Sequence, residues 1–535
     1  MLKAFETTFS TKQVLIIKEL HKRRSASVPQ LTFLLYPEVV PDGYPESLTR
    51  VSNLNKCKTV SAEVTKLFRS GIIIEVDRDF RTLEKKDERG FVRQVFRYST
   101  IYTLSEFGLK IAQSDYFLSI PFGYTGTGWN NDQGHFSYNL FTPPTKQSDH
   151  HRYGVDANIL FNKSCKQLAV GFDFRDNRYC KISYVNESKS AKSKVSELKP
   201  DGEIKFTYHE IATKHFMLPP NWSDHQKEEA LRISSRNDGT DVEKASWLEI
   251  DMRSEDVDDL TNKFAGYARA YDHYVNGISR SKLDIPDNIF FLSTAVMMEW
   301  RFRATMIPAI LRGLGTWSTH LNVYLGGLND IESLVKSRCM EESTEQLFLH
   351  NIRGLTDPRE HSFSKDVFVS WVENLSRYDI LGTGYTDELK SEMLTVLGYL
   401  PKFVIHYDKR LNRKTLFLFE RLNGLETRGI CRTIRFRQNY AKILYLSTIH
   451  EVIPVFYYDE QRPDINFDYT EYSPLEEGKR DPNSVEIRKG HTKMYETKLS
   501  GYFEKVIWHS TSDNRWFDKN YKAPTTRNPL LTYME

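Results

Sequence analysis

Cysteine, long apolar runs and net charge are all scarce in this sequence. Its five cysteines are spread along 535 residues without a Cys-x-x-Cys pair, which predicts neither a disulfide framework nor a zinc site. The longest apolar stretch, around Ile289 to Met298, ends at Glu299 and is far shorter than the roughly 20 residues of a membrane helix. No apolar run of the kind found in a signal peptide follows Lys3 and Glu6. We therefore expect a cytoplasmic protein with no membrane partner.

The net charge is only +3, from 74 basic and 71 acidic residues, so local patches must supply any argument for nucleic-acid binding. The sequence also has no P-loop, no Gly-x-Gly-x-x-Gly signature and no internal repeat. Its length predicts roughly two to four domains, and a hydrophobic content of 39% suffices for their cores. The predicted fold class is α/β, in an α+β multidomain arrangement.

Three helices are predicted at the N-terminus, and the third carries the informative surface. The first runs from Thr11, as N-cap, to Arg23, and the second begins near Ser27 with Pro29 in its first turn. The third runs from Thr59 to Arg69. Its apolar stripe, expected to face the core, is Val60, Val64, Leu67 and Phe68. Its outward residues, which could enter a major groove of DNA, are Ser61, Thr65, Lys66 and Arg69.

A basic hairpin is predicted after the third helix. One strand starts at Ile72, and a second runs from about Phe91 to Thr103. The cations expected to face DNA from this hairpin are Lys85, Lys86, Arg89 and Arg93. A closing helix, Glu106 to Ala112, is capped by Ser105. This order indicates a winged-helix DNA-binding domain over residues 1–115; the alternatives are a solvated hairpin and a winged helix that binds protein.

Residues 116–149 are predicted to be a linker or insertion, and residues 150–315 a second domain with clustered acids. Asp201 lies in a Pro-Asp-Gly turn before a strand, and Glu249 and Asp251 lie two residues apart on another strand, so they share a face. These carboxylates could hold Mg²⁺ or Mn²⁺, which would polarise a scissile phosphate and activate water. The alternative is that they are solvated acids beside a core strand.

Four further residues are candidates for the same chemistry. Lys263, on the helix that follows the acids, could stabilise charge at the phosphate. Tyr267 could form a covalent link to DNA, although packing against the sheet is the simpler interpretation. His150 and His151 could act as general base or proton donor, or could be a solvated pair in a turn.

The pattern Pro-Asp…Glu-x-Asp…Lys…Tyr is similar to the restriction-endonuclease-like, or PD-(D/E)xK, fold. The last residue of that motif is usually lysine, whereas Asp251 stands there in this sequence. On this resemblance, catalysis requires that Lys263 substitutes for it from the helix.

The phrases HHRYGV, KPDGEI and LEIDMRSE…KFAGYARAY, behind a winged helix, resemble the replication-relaxation family of mobile elements. That family is related to the MobC-type mobilisation relaxases, and the resemblance covers roughly residues 8–315. It implies a plasmid or integrative-element protein that recognises an origin and nicks it. The positions that match are His150 or His151, Asp201, Glu249, Asp251, Lys263 and Tyr267.

Residues 316–535 match no motif and are expected to form a mixed α+β region. Helices are predicted at Met340 to Leu347 and Val367 to Leu375, and a hairpin over residues 401–422. The basic segment 428–447 is predicted to be a charged strand, with Tyr440 and Tyr445 available to stack on single-stranded DNA. Residues 457–493 are predicted to be a long loop or linker.

Three functions follow from these expectations. The first is a metal-dependent DNA-nicking relaxase that acts on double-stranded DNA at an origin. The second is an inactive origin-binding replication initiator or regulator. The third is a protein-interaction module of a mobile element, with mobilisation or replication proteins as partners.

Overall fold

The computed structural model describes most of the chain, and all that follows concerns those residues. Apart from one to three residues at a few points, the described segments are 7–45, 55–86, 92–113, 138–143, 147–186, 194–209, 241–275, 285–294, 300–341, 391–424, 426–446, 449–459 and 500–517, with short strands at 2–4, 129–130, 135–136, 367–369, 469–471 and 495–497. Within these segments, no helix has the length and apolar character needed to span a membrane. The class is mixed, with helices and several β-sheets.

The N-terminal unit begins with three helices. They are α1 (Thr11–Arg23), α2 (Val28–Leu35) and α3 (Asn55–Arg69). The N-cap of α1 is Ser10 rather than Thr11, because Ser10 and Gln13 form a reciprocal capping box. The third helix starts four residues earlier than its apolar spacing predicts, and its buried face is Cys57, Val60, Val64 and Leu67. Phe68, predicted to face the core, is 46% exposed and lies edge-on to Tyr102.

A three-stranded antiparallel sheet completes this unit. Its strands are β3 (Ser25–Ser27), β4 (Ile73–Lys86) and β5 (Val92–Leu104), in the order β3-β5-β4, preceded in the chain by a small hairpin of β1 (Leu2–Ala4) and β2 (Thr7–Phe9). Ser105 caps α4 (Glu106–Ala112), as predicted. A Cβ on Gly108 would lie 2.0 Å from the carbonyl oxygen of Ile72, so the closing helix needs glycine where it crosses the sheet.

The helix at residues 148–167 joins the N-terminal unit to the next one. The segment before it carries β6 (Trp129–Asn130), β7 (His135–Phe136) and α5 (Tyr138–Phe141), and α6 (Ser148–Gln167) follows. Val155 and Ile159 of α6 belong to the N-terminal core, whereas Phe161 packs in the core of the second unit. Asp156 is buried and accepts a hydrogen bond from Gln30 of α2 at 2.9 Å. The two units therefore share one helix.

A five-stranded mixed sheet forms the second unit. The strands, in spatial order, are β14 (Asn322–Gly326), β13 (Asn288–Ser293), β12 (Asp241–Asp251), β11 (Gly202–His209) and β8 (Gly171–Asp176). β12, β13 and β14 are parallel, and β11 is antiparallel to both of its neighbours. A small hairpin of β9 (Ile182–Asn186) and β10 (Lys194–Leu198) stands beside it, after the short helix α7 (Asn177–Cys180).

Helices cover both faces of this sheet. On one face, α8 (Val257–Tyr274) and α9 (Trp300–Leu314) bury Trp247, Ile289 and Phe291 of the strands. On the other face lie α6 and the helix at residues 331–339, here α10, against the alternate strand residues Leu248 and Phe290. This alternation puts Glu249 and Asp251 on the face that α8 covers.

A six-stranded sheet forms the third unit. Its strands, in spatial order, are β15 (Val367–Val369), β16 (Lys402–Asp408), β17 (Arg413–Arg421), β18 (Glu451–Tyr458), β21 (Ile507–Ser510) and β22 (Arg515–Phe517), and a further pair is β19 (Tyr469–Glu471) with β20 (Tyr495–Thr497). Its helices are residues 391–397, here α11, then α12 (Arg428–Gln438) and α13 (Tyr440–Leu446). Single 3₁₀ turns occur at Pro37–Val39, Gly315–Thr319, Leu328–Asp330 and Ser500–Phe503.

The expectations for this last unit are confirmed for one element and wrong for three, since the predicted loop at 457–493 contains the end of β18 and the strand β19. The predicted hairpin exists as β16 and β17, in antiparallel register. The predicted strand at 428–447 is instead the helices α12 and α13, because Ile430 and Ile434 are buried with the i, i+4 spacing of a helix. Residues 367–369 form a strand rather than the start of a helix, and Met340 and Leu347 lie outside the described residues.

Candidate functional site

Asp201 is fixed at the edge of the second unit's sheet by the neighbouring strand. It directly precedes Gly202, which pairs with Leu248 of β12. The Oδ2 atom of Asp201 accepts a hydrogen bond from the backbone N–H of Ile250 at 2.8 Å. The turn aspartate therefore lies beside the end of the strand that carries Glu249 and Asp251, where the carboxyl ends of parallel strands commonly form sites.

His150 reaches Asp201 from α6, on the other side of the sheet edge. Its Nε2 atom lies 3.4 Å from Asp201 Oδ2 and 3.2 Å from the carbonyl oxygen of Ile250. The hydrogen bond with Asp201 raises the pKa of His150 above its usual value. His150 lies on a helix, not in the solvated turn that was the alternative interpretation.

Glu249 is the most deeply buried acid of the cluster. Only 3% of it is exposed, its Oε1 accepts a hydrogen bond from the Tyr267 hydroxyl at 2.6 Å, and its Oε2 lies 3.3 Å from Lys263 Nζ. Burial raises its pKa to about 7, against the opposing effect of Lys263, and the charge of Asp201 adds to the rise. Glu249 can therefore hold or release a proton near neutral pH.

Lys263 is held between two carboxylates. Its Nζ lies 2.7 Å from Glu255 Oε1, besides its contact with Glu249, and 5.8 Å from the centre of the Phe291 ring. Burial acts to lower the pKa of Lys263, but the two glutamates outweigh it and the pKa is raised. The amine is therefore a permanent cation at this site.

Asp251 lies at the last position of β12, beside the end of β13. Its Oδ2 accepts a hydrogen bond from the Ser293 hydroxyl at 3.3 Å, and Tyr153 of α6 donates to the Ser293 carbonyl at 2.8 Å. Asp251 is 5% exposed, and its Oδ1 has no hydrogen-bond partner among the described residues. A buried carboxylate oxygen without a donor is costly unless something else satisfies it.

The acids outnumber the cations at this site, and the excess negative charge suits the binding of a divalent cation. Glu249 feels a second carboxylate, Asp201, and Asp251 keeps one buried oxygen without a donor. Among the described residues no three His, Cys, Asp or Glu side chains already stand as a complete set of metal ligands. Mg²⁺ does not require such a set, because it is usually bound through one or two carboxylates with waters and substrate phosphates. Asp201 and Glu249, with Asp251 two residues further along the same strand, are the residues that would hold it.

An open cleft with a cavity volume of about 80 Å³ adjoins Asp201. His150 and His151 line it, together with Arg23 and Arg24 from the end of α1. The sequence interpretation missed these two arginines, and it missed Glu255, because their roles depend on contacts between distant segments. The only local signal was the position of Glu255, directly after the strand of acids.

The predicted groove-facing residues of α3 are all on the surface. Ser61, Thr65, Lys66 and Arg69 are exposed, and Lys58 extends the same polar face. Lys66 forms an ion pair with Glu63 at 2.8 Å, and the Thr65 hydroxyl donates to the Ser61 carbonyl. The face is therefore available to a ligand along its length.

For the predicted wing, the structure describes only the course of the backbone. Lys85 and Lys86 lie near the end of β4, and Arg93 pairs with Lys85 across the hairpin. Arg89 lies outside the described residues, and so do the side chains of the other three.

Side chains of the basic segment 428–447 have partners inside the third unit. Arg428 forms an ion pair with Glu341, and the Arg432 guanidinium lies over the Tyr399 ring, with Cζ 4.7 Å from the ring centre. Tyr440 packs edge-on against Phe436, and the Tyr445 side chain lies outside the described residues. Arg428, Arg432 and Tyr440 thus contact other residues of the protein itself.

Comparison of the chain with protein-family models, with curated proteins and with solved structures gives no match, so its site stands on its own geometry.

Proposed function

We propose that this protein is a metal-dependent DNA-nicking endonuclease of the relaxase type, built on a restriction-endonuclease-like domain. The observation that carries the proposal is the meeting of Asp201, Glu249 and Lys263 at one edge of a sheet. They come from a turn, a strand and a helix, and Lys263 Nζ lies 3.3 Å from Glu249. Carboxylates beside a fixed cation are suited to phosphodiester hydrolysis, in which charge builds up on the phosphate oxygens.

Each side chain has a distinct role in this reaction. Lys263, held protonated by Glu249 and Glu255, stabilises negative charge on the scissile phosphate. His150 Nε2, at the open cleft, holds or delivers a proton to the leaving oxygen. Asp201 and Glu249 would hold Mg²⁺ or Mn²⁺, which supplies polarisation of the phosphate and an activated water.

Tyr267 acts as a positioning residue in this scheme and not as a nucleophile. Its side chain is fully buried, and its hydroxyl donates to Glu249. Burial and the neighbouring Glu249 raise its pKa well above the usual value, which disfavours the phenolate needed for attack. We therefore favour direct hydrolysis over a covalent tyrosine link.

The N-terminal unit supports duplex DNA at an origin as the substrate. The exposed polar face of α3 has the residue types and the helical presentation that enter a major groove. Single-stranded DNA and mobilisation or replication proteins are further partners in this proposal, and the setting is the cytoplasm of a host for a plasmid or mobile element.

A nicking assay tests the proposal. Supercoiled plasmid carrying the protein's own locus is incubated with the full chain and Mg²⁺ or Mn²⁺, beside a Glu249→Ala variant. We expect relaxed plasmid with the wild-type protein and intact plasmid with the variant. Equal nicking by both proteins would remove Glu249 from the mechanism, and no nicking by either would remove the enzyme.

One observation favours a second candidate, an origin-binding initiator or regulator with a silent nuclease domain. Both oxygens of Glu249 already have protein partners, and Asp251 replaces the usual motif lysine. Sequence-specific retardation of origin DNA in a gel, with no heat of Mg²⁺ binding by calorimetry, would select this candidate. Weak DNA affinity that does not change with salt would instead indicate a protein-interaction module, since phosphate contacts impose a steep salt dependence.

A further inference from the structure

The cleft beside Asp201 has one wall from the N-terminal unit and one from the second unit. The end of α1 supplies Arg23 and Arg24, and the second unit supplies His150, His151 and Asp201. The cleft therefore brings basic side chains from two parts of the chain, more than a hundred residues apart, together with the carboxylates of Asp176 and Asp201.

Contacts with β8 fix the end of α1 at this cleft. Lys22 Nζ lies 2.6 Å from Asp173 Oδ1, and the Arg23 guanidinium lies over the Phe174 ring at 5.6 Å. The neighbouring Arg24 has a φ of 66°, and its Nε donates to the carbonyl oxygen of Phe141 at 2.9 Å. This positive φ is unfavourable for a residue other than glycine, and it turns the chain sharply after the helix.

Arg23 is buried with part of its donor set unused. It is 5% exposed, and its NH1 forms an ion pair with Glu19 one turn earlier on α1. Its Nε has no hydrogen-bond partner among the described residues. Leaving a buried charged donor without an acceptor is costly, and a guanidinium is the side chain best matched to phosphate oxygens.

We propose that this cleft binds a backbone phosphate of the DNA strand, with Arg23 as the central contact, so that the N-terminal unit contributes a substrate-binding residue to the candidate active site. This inference rests on the proposed function, because it assigns the cleft to the substrate of the same site. A phosphate at Arg23 lies in the same cleft as Asp201 and His150, so the bound strand is presented to these two side chains.

Salt dependence of DNA binding tests the contact without any cleavage. The full chain is mixed with a fluorescein-labelled duplex of its own locus in EDTA, and the binding constant is measured by anisotropy over a series of KCl concentrations. Each phosphate contact contributes about 0.9 to the slope of log K against log salt. We expect Arg23→Met to reduce the slope by about 0.9. We expect Lys18→Met, which removes a charge from the same helix outside the cleft, to leave the slope unchanged.

Two controls keep the outcome decisive. The methionine keeps an unbranched apolar side chain while it removes the guanidinium over Phe174, and circular dichroism checks that the variant folds. If Arg23→Met does not fold, Arg23→Gln removes the same charge and keeps a polar side chain, and the same reduction in slope is expected. An unchanged slope in a folded variant, an equal change in Lys18→Met, or no DNA binding by the wild-type chain would each overturn the subsite.

The nicking assay separates this result from the proposed function. Nicking with an unchanged slope in Arg23→Met would leave the enzyme in place and remove the subsite. A reduced slope without nicking would leave a phosphate-binding cleft in a protein that does not cleave.

Discussion

Glu249 and Glu420 occupy comparable positions in the two larger sheets. Each lies near the carboxyl end of a strand that is antiparallel to the strand before it and parallel to the strand after it. Each is at most 4% exposed and faces a cation on the next helix, Lys263 for Glu249 and Arg432 for Glu420. Each also has a tyrosine hydroxyl as a hydrogen-bond partner.

The two sites differ in the charges around the glutamate. Besides Lys263, Glu249 has the carboxylate of Asp201 as a neighbour, which raises its pKa further. Burial raises the pKa of Glu420 as well, but its two neighbouring cations, Arg432 and Lys402, both act against the rise. Burial in turn lowers the pKa of Lys402 to about 8.

The difference indicates two uses of one arrangement. At Glu420 two cations face one acid, and Arg432 also donates to the Thr319 carbonyl at 2.7 Å, although the buried Oε1 of Glu420 has no hydrogen-bond partner among the described residues. At Glu249 the acids exceed the cations, and Asp201, whose charge acts on Glu249, lines an open cleft. A buried glutamate is thus a structural ion pair or a reactive site according to its neighbours.

The largest effect is expected from removing the cation of the structural site. We expect Arg432→Met to lower the free energy of unfolding by about 3 kcal/mol, because it leaves a buried carboxylate short of a partner. The matched Lys263→Met should cost less, since Glu249, with its pKa of about 7, can take up a proton instead. The free energies of unfolding of both variants and the wild type are measured by urea unfolding at about pH 6. A larger loss in Lys263→Met than in Arg432→Met would reverse the roles of the two sites.

A pH effect of about 3 kcal/mol or less is expected at Glu249. The folded protein keeps the Glu249 proton up to about pH 7, whereas the unfolded chain releases it near its ordinary pKa of 4.5. Raising the pH through this window therefore favours the unfolded chain. Glu249→Gln cannot lose that proton, so in EDTA its stability should fall less than that of the wild type between these two pH values. Parallel stability curves for the two proteins would show that Glu249 titrates normally.

The elements of the N-terminal unit could be predicted from sequence because their signals are local. Ser105 caps a helix in both the pattern and the structure, and Val60 and Val64 face the core at helical spacing. Phe68 was assigned to the core by the same spacing, but it lies at the rim, where Tyr102 covers only one edge. Local periodicity predicts which face of a helix is buried, but it does not predict which residue is the last one buried on that face.

The site required contacts that no local pattern contains. The sequence placed Asp201, Glu249 and Lys263 as candidates, but their meeting depends on the register of β11 on β12, which sets the hydrogen bond from Ile250 to Asp201. Arg23 could not be found at all, because its place beside Asp201 follows from the docking of α1 on β8. In α12 the alternation of arginine with apolar residues imitated a strand, while Ile430 and Ile434 kept the helical spacing.

Metal binding is the most direct test of the difference between the two glutamates. Calorimetric titration of Mn²⁺ into the full chain should give one site, with equal affinity in the wild type and in Glu420→Gln. Glu249→Gln should lose at least ~10-fold in affinity, because a ligand of the cation is gone. Equal binding by folded Glu249→Gln, or no binding by the wild-type chain, would contradict the assignment of the Glu249 cluster as the metal site.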